Sequence, residues 1–95
     1  MIPEKDNYGK PTSEFVSRLQ EMVDEEFVTA TASCCWLSAY ANNNPRSDYH
    51  WQADACYDEA RRREKPWLYQ RGWNDAYRQA GYEPSEEDKK AARPT

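Results

Sequence analysis

Ninety-five residues with a net charge of −4 and a mean hydropathy of −1.22 make one small domain whose apolar core must be thin. The acidic balance argues against tight, non-specific nucleic-acid binding, which relies on many cations neutralising phosphates. No apolar stretch approaches the ~20 residues that a membrane span needs, and no signal-peptide core is visible, so a cytoplasmic protein is expected.

Four Trp and seven Tyr counter the polarity, because each large ring can bury roughly 150–250 Å². A chain this aromatic is not composed like a disordered one, so a folded middle with frayed ends is expected. Charge is unevenly spread: residues 1–44 carry seven acids against three bases, and residues 45–82 carry seven bases against six acids. Cys34, Cys35 and Cys56 are odd in number and two are adjacent, which suits reduced thiols better than a disulfide framework.

Residues 1–12 hold two prolines, a glycine and no period, and read as a flexible arm. Thr12 or Ser13 then caps a helix with Glu14 in its first turn. Phe15, Leu19, Met22, Val23, Ala30, Leu37 and Ala41 return to one face at 100° per residue, and no Gly or Pro interrupts Ser13 to Asn44. One long helix is therefore expected, with the β-branched Val28, Thr29 and Thr31 as its weak point. The stop at 42–46, NNNPR, is clear, because Pro45 disfavours helical geometry at Asn44. Ser47 and Asp48 start the next helix, with Tyr49, Ala53, Cys56, Tyr57 and Ala60 as its inner stripe. Pro66 suits the first turn of a further helix. In that helix Tyr69, Trp73, Ala76, Tyr77 and Ala80 line one side, Gly72 permits close approach of a neighbour, and Gly81 ends it in a left-handed conformation. Ser85 with Glu86, Glu87 and Asp88 offers a short helix in the charged tail 83–95, but with little apolar surface to bury it is expected to fray. The sequence thus predicts an all-α domain over 13–82 with three helices, or four if the first one breaks.

Some residues do not fit these stripes. Trp67 lies about 160° from Tyr69, beside Arg71, Asn74 and Arg78; Trp51 lies about 200° from Tyr49, near Arg62. Both rings are predicted to turn away from the core. Each either covers a neighbouring helix or the arm, or anchors a partner, since Trp, Tyr and Arg dominate interface energetics. Trp67, Arg71 and Arg78 are the sharper candidate partner site, with Trp51 and Arg62 second. Arg61, Arg62 and Arg63 are flanked by Asp58, Glu59 and Glu64 and read mainly as a solvated helix face. In an unbroken first helix Glu26 would fall among Met22, Val23 and Ala30. A lone buried carboxylate is costly, so a break at 26–31, an ion pair with Arg63, or a ligand role must answer for it. Cys34, Cys35, His50 and Cys56 lack the paired spacing of structural zinc sites. No oxyanion site accompanies a Cys–His pair. Neither a metal, a cofactor nor catalysis is expected.

Residues 66–77, PWLYQRGWNDAY, resemble the W-L-x-G-W-x-x-A helix of the ribosome modulation factor family through Trp67, Leu68, Gly72, Trp73 and Ala76, with two extra residues before the glycine. The resemblance implies a compact helical protein that binds the ribosome. In overall type the chain also resembles small, acidic, aromatic-rich accessory proteins of bacteriophages, many of which bind and disable a host enzyme or defence complex. The expectation is a non-enzymatic protein that modulates a larger host protein, such as a nuclease, polymerase or defence assembly. The alternative is a ribosome or nucleic-acid binder. A homodimer would also complete a thin core.

Overall fold

Helical periodicity from Ser13 onward is interrupted earlier than the sequence suggests. In the computed structural model, which describes residues 2–94, α1 spans Ser13–Glu21 and α2 spans Asp24–Tyr40. Between them Met22 (ψ 141°) and Val23 (ψ 161°) are extended. The break thus falls at 22–23, not at 26–31. Val28 and Thr31, the expected weak point, lie buried inside an unbroken α2, so packing overrides their lower helix propensity.

Three acids, Asp24, Glu25 and Glu26, open the first turn of α2, where the positive end of the helix dipole favours them. Glu26 Oε1 accepts from Val23 N–H at 3.2 Å. The helix restart turns Glu26 outward, where it caps α2. The expected pairing with Arg63 does not form; Arg63 instead binds Asp24 and Glu59.

The remaining helices are α3 (Asp48–Arg62), α4 (Pro66–Gln79) and α5 (Glu86–Ala91), and the all-α expectation holds. Their local signals act as read. Ser47 Oγ accepts from Tyr49 N–H at 3.2 Å to cap α3, Pro66 takes the first position of α4, and Gly81 sits at φ 93°. Tyr82 N–H then reaches back to Tyr77 O at 3.1 Å, closing the end of α4.

Central helix α2 lies against both α3 and α4, while α1 packs on α3 and α5 on α4. The core is built from Leu19, Phe27, Val28, Cys34, Ala55, Cys56, Ala60 and Leu68. Small side chains at so many of these positions keep it thin. Gly72 is the point of closest approach between α2 and α4: a Cβ there would stand 2.6 Å from Thr31 Cβ.

The ends of the described chain are tied down. Asp6 Oδ1 accepts from Tyr8 and Lys10 N–H, each at 2.8 Å, and Asn7 N–H donates to Asp48 Oδ1 at 3.1 Å. Residues 2–12 thus form a closed loop against the start of α3, where a featureless arm was expected. At the other end, Pro84 is buried. Asn74, only 2% exposed, donates from Nδ2 to Asp88 O at 3.0 Å and accepts from Gln70 at 2.8 Å. The tail expected to fray is therefore a docked helix, because a buried amide on α4 supplies what its own apolar surface lacks. Asn74→Ala is expected to cost about 1–2 kcal/mol and to speed amide exchange across 84–92. Unchanged protection there would show that the amide does not hold α5.

Candidate interaction surface

Trp67, Arg71 and Arg78 all lie on the unbroken α4, whereas Trp51 and Arg62 lie on α3. Trp51 is 7% exposed. Its ring meets Phe15 of α1 edge-on, at 5.3 Å and 85°, and its Nε1–H donates to Asp48 Oδ1 at 2.8 Å. Of the two readings of this ring, covering a neighbouring helix is the one observed and a free partner anchor is not, because the break at 22–23 lets α1 fold back onto α3. Trp67 is half-buried and packs against the core. The shallow groove beside it is lined by Tyr57, Pro66, Tyr69, Gln70, Ala91 and Arg93, not by Arg71 or Arg78. On the side of α4 that was expected to be wet, Asn74 is buried under α5. Arg71 is exposed, and Arg78 pairs with Asp75 at 3.2 Å.

Arg62 belongs to an ion-pair network. Glu59, 3% exposed, takes Arg62 on both oxygens at 2.7 Å and Arg63 Nε at 2.6 Å. The Arg62 guanidinium first, and Arg63 second, hold the Glu59 carboxyl below its ordinary range despite burial. Two of the three consecutive arginines are thus committed to carboxylates of this chain. The third, Arg61, lies over the Tyr57 ring at 5.7 Å.

His50 and the three cysteines are all engaged in packing or hydrogen bonds within the fold. His50 Nε2 faces the carbonyls of Asn44 at 2.9 Å and Ala41 at 3.1 Å, so it carries the proton; Nδ1 then accepts from the Ser38 hydroxyl at 2.6 Å. Both ring nitrogens serve to close the end of α2. Burial pushes the Cys35 thiol up to about 11, the neighbouring Cys34 thiol together with burial pushes Cys56 far above its ordinary value, and the hydrogen bond with Cys56 lowers Cys34. All three thiols are buried, which limits access to them. Among the described residues no cluster of three or more His, Cys, Asp or Glu could hold a metal ion.

What the fold does assemble is an apolar groove of about 230 Å³ between α2 and α4, lined by Cys35, Trp36, Ala39, Trp73, Tyr77 and Ala80 with Ala76. Trp36 forms one edge, and the Tyr40 ring lies beside it one helical turn on, at 6.5 Å between rings. Trp73 and Tyr77 stack at 4.9 Å and 16° on the other, and Tyr82 continues the row at 5.1 Å from Tyr77. Tyr40 is 79% exposed, Tyr82 61% and Trp36 37%. The expected inner stripe of α4 is therefore rotated. Leu68, Gly72 and Ala76 face α2, and the large rings flank that contact because only small residues fit where the two backbones approach. No charged side chain lines the groove, although 32% of the chain is charged.

Part of this surface had a signal in the sequence. Residues 27–45 contain no charged residue at all, and Trp36/Tyr40 and Trp73/Tyr77 are both i,i+4 pairs, neighbours on a helix surface. That the two pairs share one groove depends on how α2 and α4 pack.

The chain is a small all-α domain, and among the described residues no helix is long and apolar enough to cross a membrane. Compared with protein-family models, curated proteins and solved structures, it matches none.

Proposed function

We propose that the chain is a non-enzymatic accessory protein that binds and modulates a larger protein, with the α2–α4 aromatic groove as its anchor. The single observation that carries this reading is a charge-free, ring-walled groove on a chain otherwise dense in charge. Apolar surface of this kind, ringed by polar residues, marks interaction sites, and aromatic pockets are where binding energy concentrates. On this reading the partner is a host nuclease, polymerase or defence assembly met in the cytoplasm, and the chain belongs with phage-encoded modulators in type. The ribosome or nucleic-acid alternative draws less support, because Arg62 and Arg63 are already neutralised by Glu59 and Asp24 and cations so engaged release few counterions from phosphates.

A tagged chain is expected to retain one larger protein from host lysate. Trp36→Ala and Tyr40→Ala should each weaken that retention roughly tenfold while leaving the circular-dichroism spectrum unchanged. Retention that survives both substitutions in folded protein would move the partner site elsewhere.

A further inference from the structure

We propose that Cys34 and Cys56 form a peroxide-sensitive pair that closes to a disulfide between α2 and α3. Both side chains lie in the buried core cluster, one from each helix, and the two thiols hydrogen-bond to each other. All three cysteines are free thiols, but their neighbours differ. Cys35 lines the α2–α4 groove, and its Sγ donates to the Tyr69 hydroxyl at 3.7 Å. Adjacent positions on a helix stand about 100° apart, so Cys34 meets α3 while Cys35 meets α4.

The pair is asymmetric in the way this chemistry requires. Cys56 is wholly buried, whereas Cys34 retains 7% exposure, an opening for a small uncharged oxidant such as hydrogen peroxide but not for glutathione disulfide. The hydrogen bond from Cys56 holds the Cys34 thiol below its ordinary value, and the same contact together with burial keeps Cys56 protonated. Cys34 is thus the sulfur that meets the oxidant, because susceptibility follows thiolate character and access. Its thiolate attacks one peroxide oxygen, the O–O bond breaks, and the departing hydroxide takes up the proton that the thiol gave. The Cys56 thiol then attacks the sulfenic sulfur, the S–O bond breaks, and the Cys56 proton leaves with that oxygen as water. Two thiols are oxidised to one disulfide and one peroxide is reduced to two waters. Cys35 does not compete, because burial holds it as a thiol and it faces a phenol where Cys34 faces a second sulfur.

The test exposes the folded chain to hydrogen peroxide, alkylates the remaining thiols in denaturant and maps the peptides by mass spectrometry. Trypsin separates residues 19–46 from 47–61. The expected product joins these two peptides with Cys35 alkylated, and fragmentation between Cys34 and Cys35 assigns the bridge. Cys35→Ser should form the same bridge at an unchanged rate, while Cys56→Ser should stop at sulfenic or sulfinic acid on Cys34. Glutathione disulfide should yield far less bridge than peroxide in the same time. The proposal is overturned if Met22 is oxidised while Cys34 and Cys56 stay free, if the bridge runs through Cys35, or if it joins two chains. Equal yield from glutathione disulfide overturns it too, because the reaction would then belong to an opened chain. The wild-type peptide map decides by itself should either serine variant fail to fold.

Discussion

Replacing Arg63 with alanine is expected to cost about 3–5 kcal/mol, the range seen when one member of a buried ion pair is removed. Its guanidinium, on a side chain 11% exposed, joins three elements. Nε meets Glu59 at 2.6 Å, Nη1 meets Asp24 at 2.8 Å, and Nη2 donates to the carbonyls of Leu19 and Met22, both at 2.7 Å. Its plane also lies 4.6 Å from the centre of the Phe27 ring. The two carbonyls are the ones exposed where α1 ends, so one side chain on α3 closes α1 and anchors the start of α2. Alanine would leave Glu59 buried with only Arg62 opposite. Lysine is expected to recover little, because a compact ammonium cannot span acceptors arranged around a planar fork. A chemical-denaturation midpoint for Arg63→Ala close to wild type would refute this role.

A pH dependence follows from the same carboxylate. Glu59 has its pKa lowered in the fold, so its stabilising contribution is complete above the unfolded value, near 4.5, and is lost as pH falls through the lower folded value. Wild-type stability should therefore drop on acidification from about pH 5, and Glu59→Gln should be less stable at neutral pH yet flatter across that window. Asp24, lowered first by Lys65 and then by Arg63, acts in the same direction. Equal slopes for wild type and Glu59→Gln would count against it.

The second large effect is at Gly72. A Cβ there would lie 2.5 Å from Thr31 Cγ2, 2.6 Å from Thr31 Cβ and 3.1 Å from the Ala32 backbone nitrogen. Thr31 is fully buried and branched at Cβ, so its side chain cannot swing away, and the backbone nitrogen cannot yield alone. Alanine normally gains up to ~1 kcal/mol over glycine inside a helix. Here overpacking, typically costing about 1–3 kcal/mol, wins, and Gly72→Ala is expected to lower the melting temperature by roughly 5–15 °C. Thr31→Ala should restore part of the loss in the double variant, since it removes the colliding Cγ2. A stabilised Gly72→Ala would mean that α2 and α4 are not in this register.

Much of the fold was written locally. Ser47 before α3, Pro66 at the head of α4 and Gly81 at its end act on neighbours a few residues away, and each does what its chemistry dictates. The break at 22–23 was not legible, because Met22 and Val23 are tolerable in a helix. What stabilises the extended pair is Arg63, about forty residues downstream. Which of the two readings of Trp51 holds was undecidable for a connected reason: its exposure depends on where α1 goes once that break exists. The burial of Trp67 was open for the same reason, since its packing against the core depends on contacts between helices.

By itself the sequence determined the helical class, most helix ends and a nineteen-residue stretch without charge. Tertiary structure decided which rings are covered and which stand open, and that Trp36 and Trp73 border one groove. The physical reason is range: caps, stops and periodicity are relations within one helix, while exposure is set by the register between helices, here by how closely Gly72 lets α4 approach Thr31.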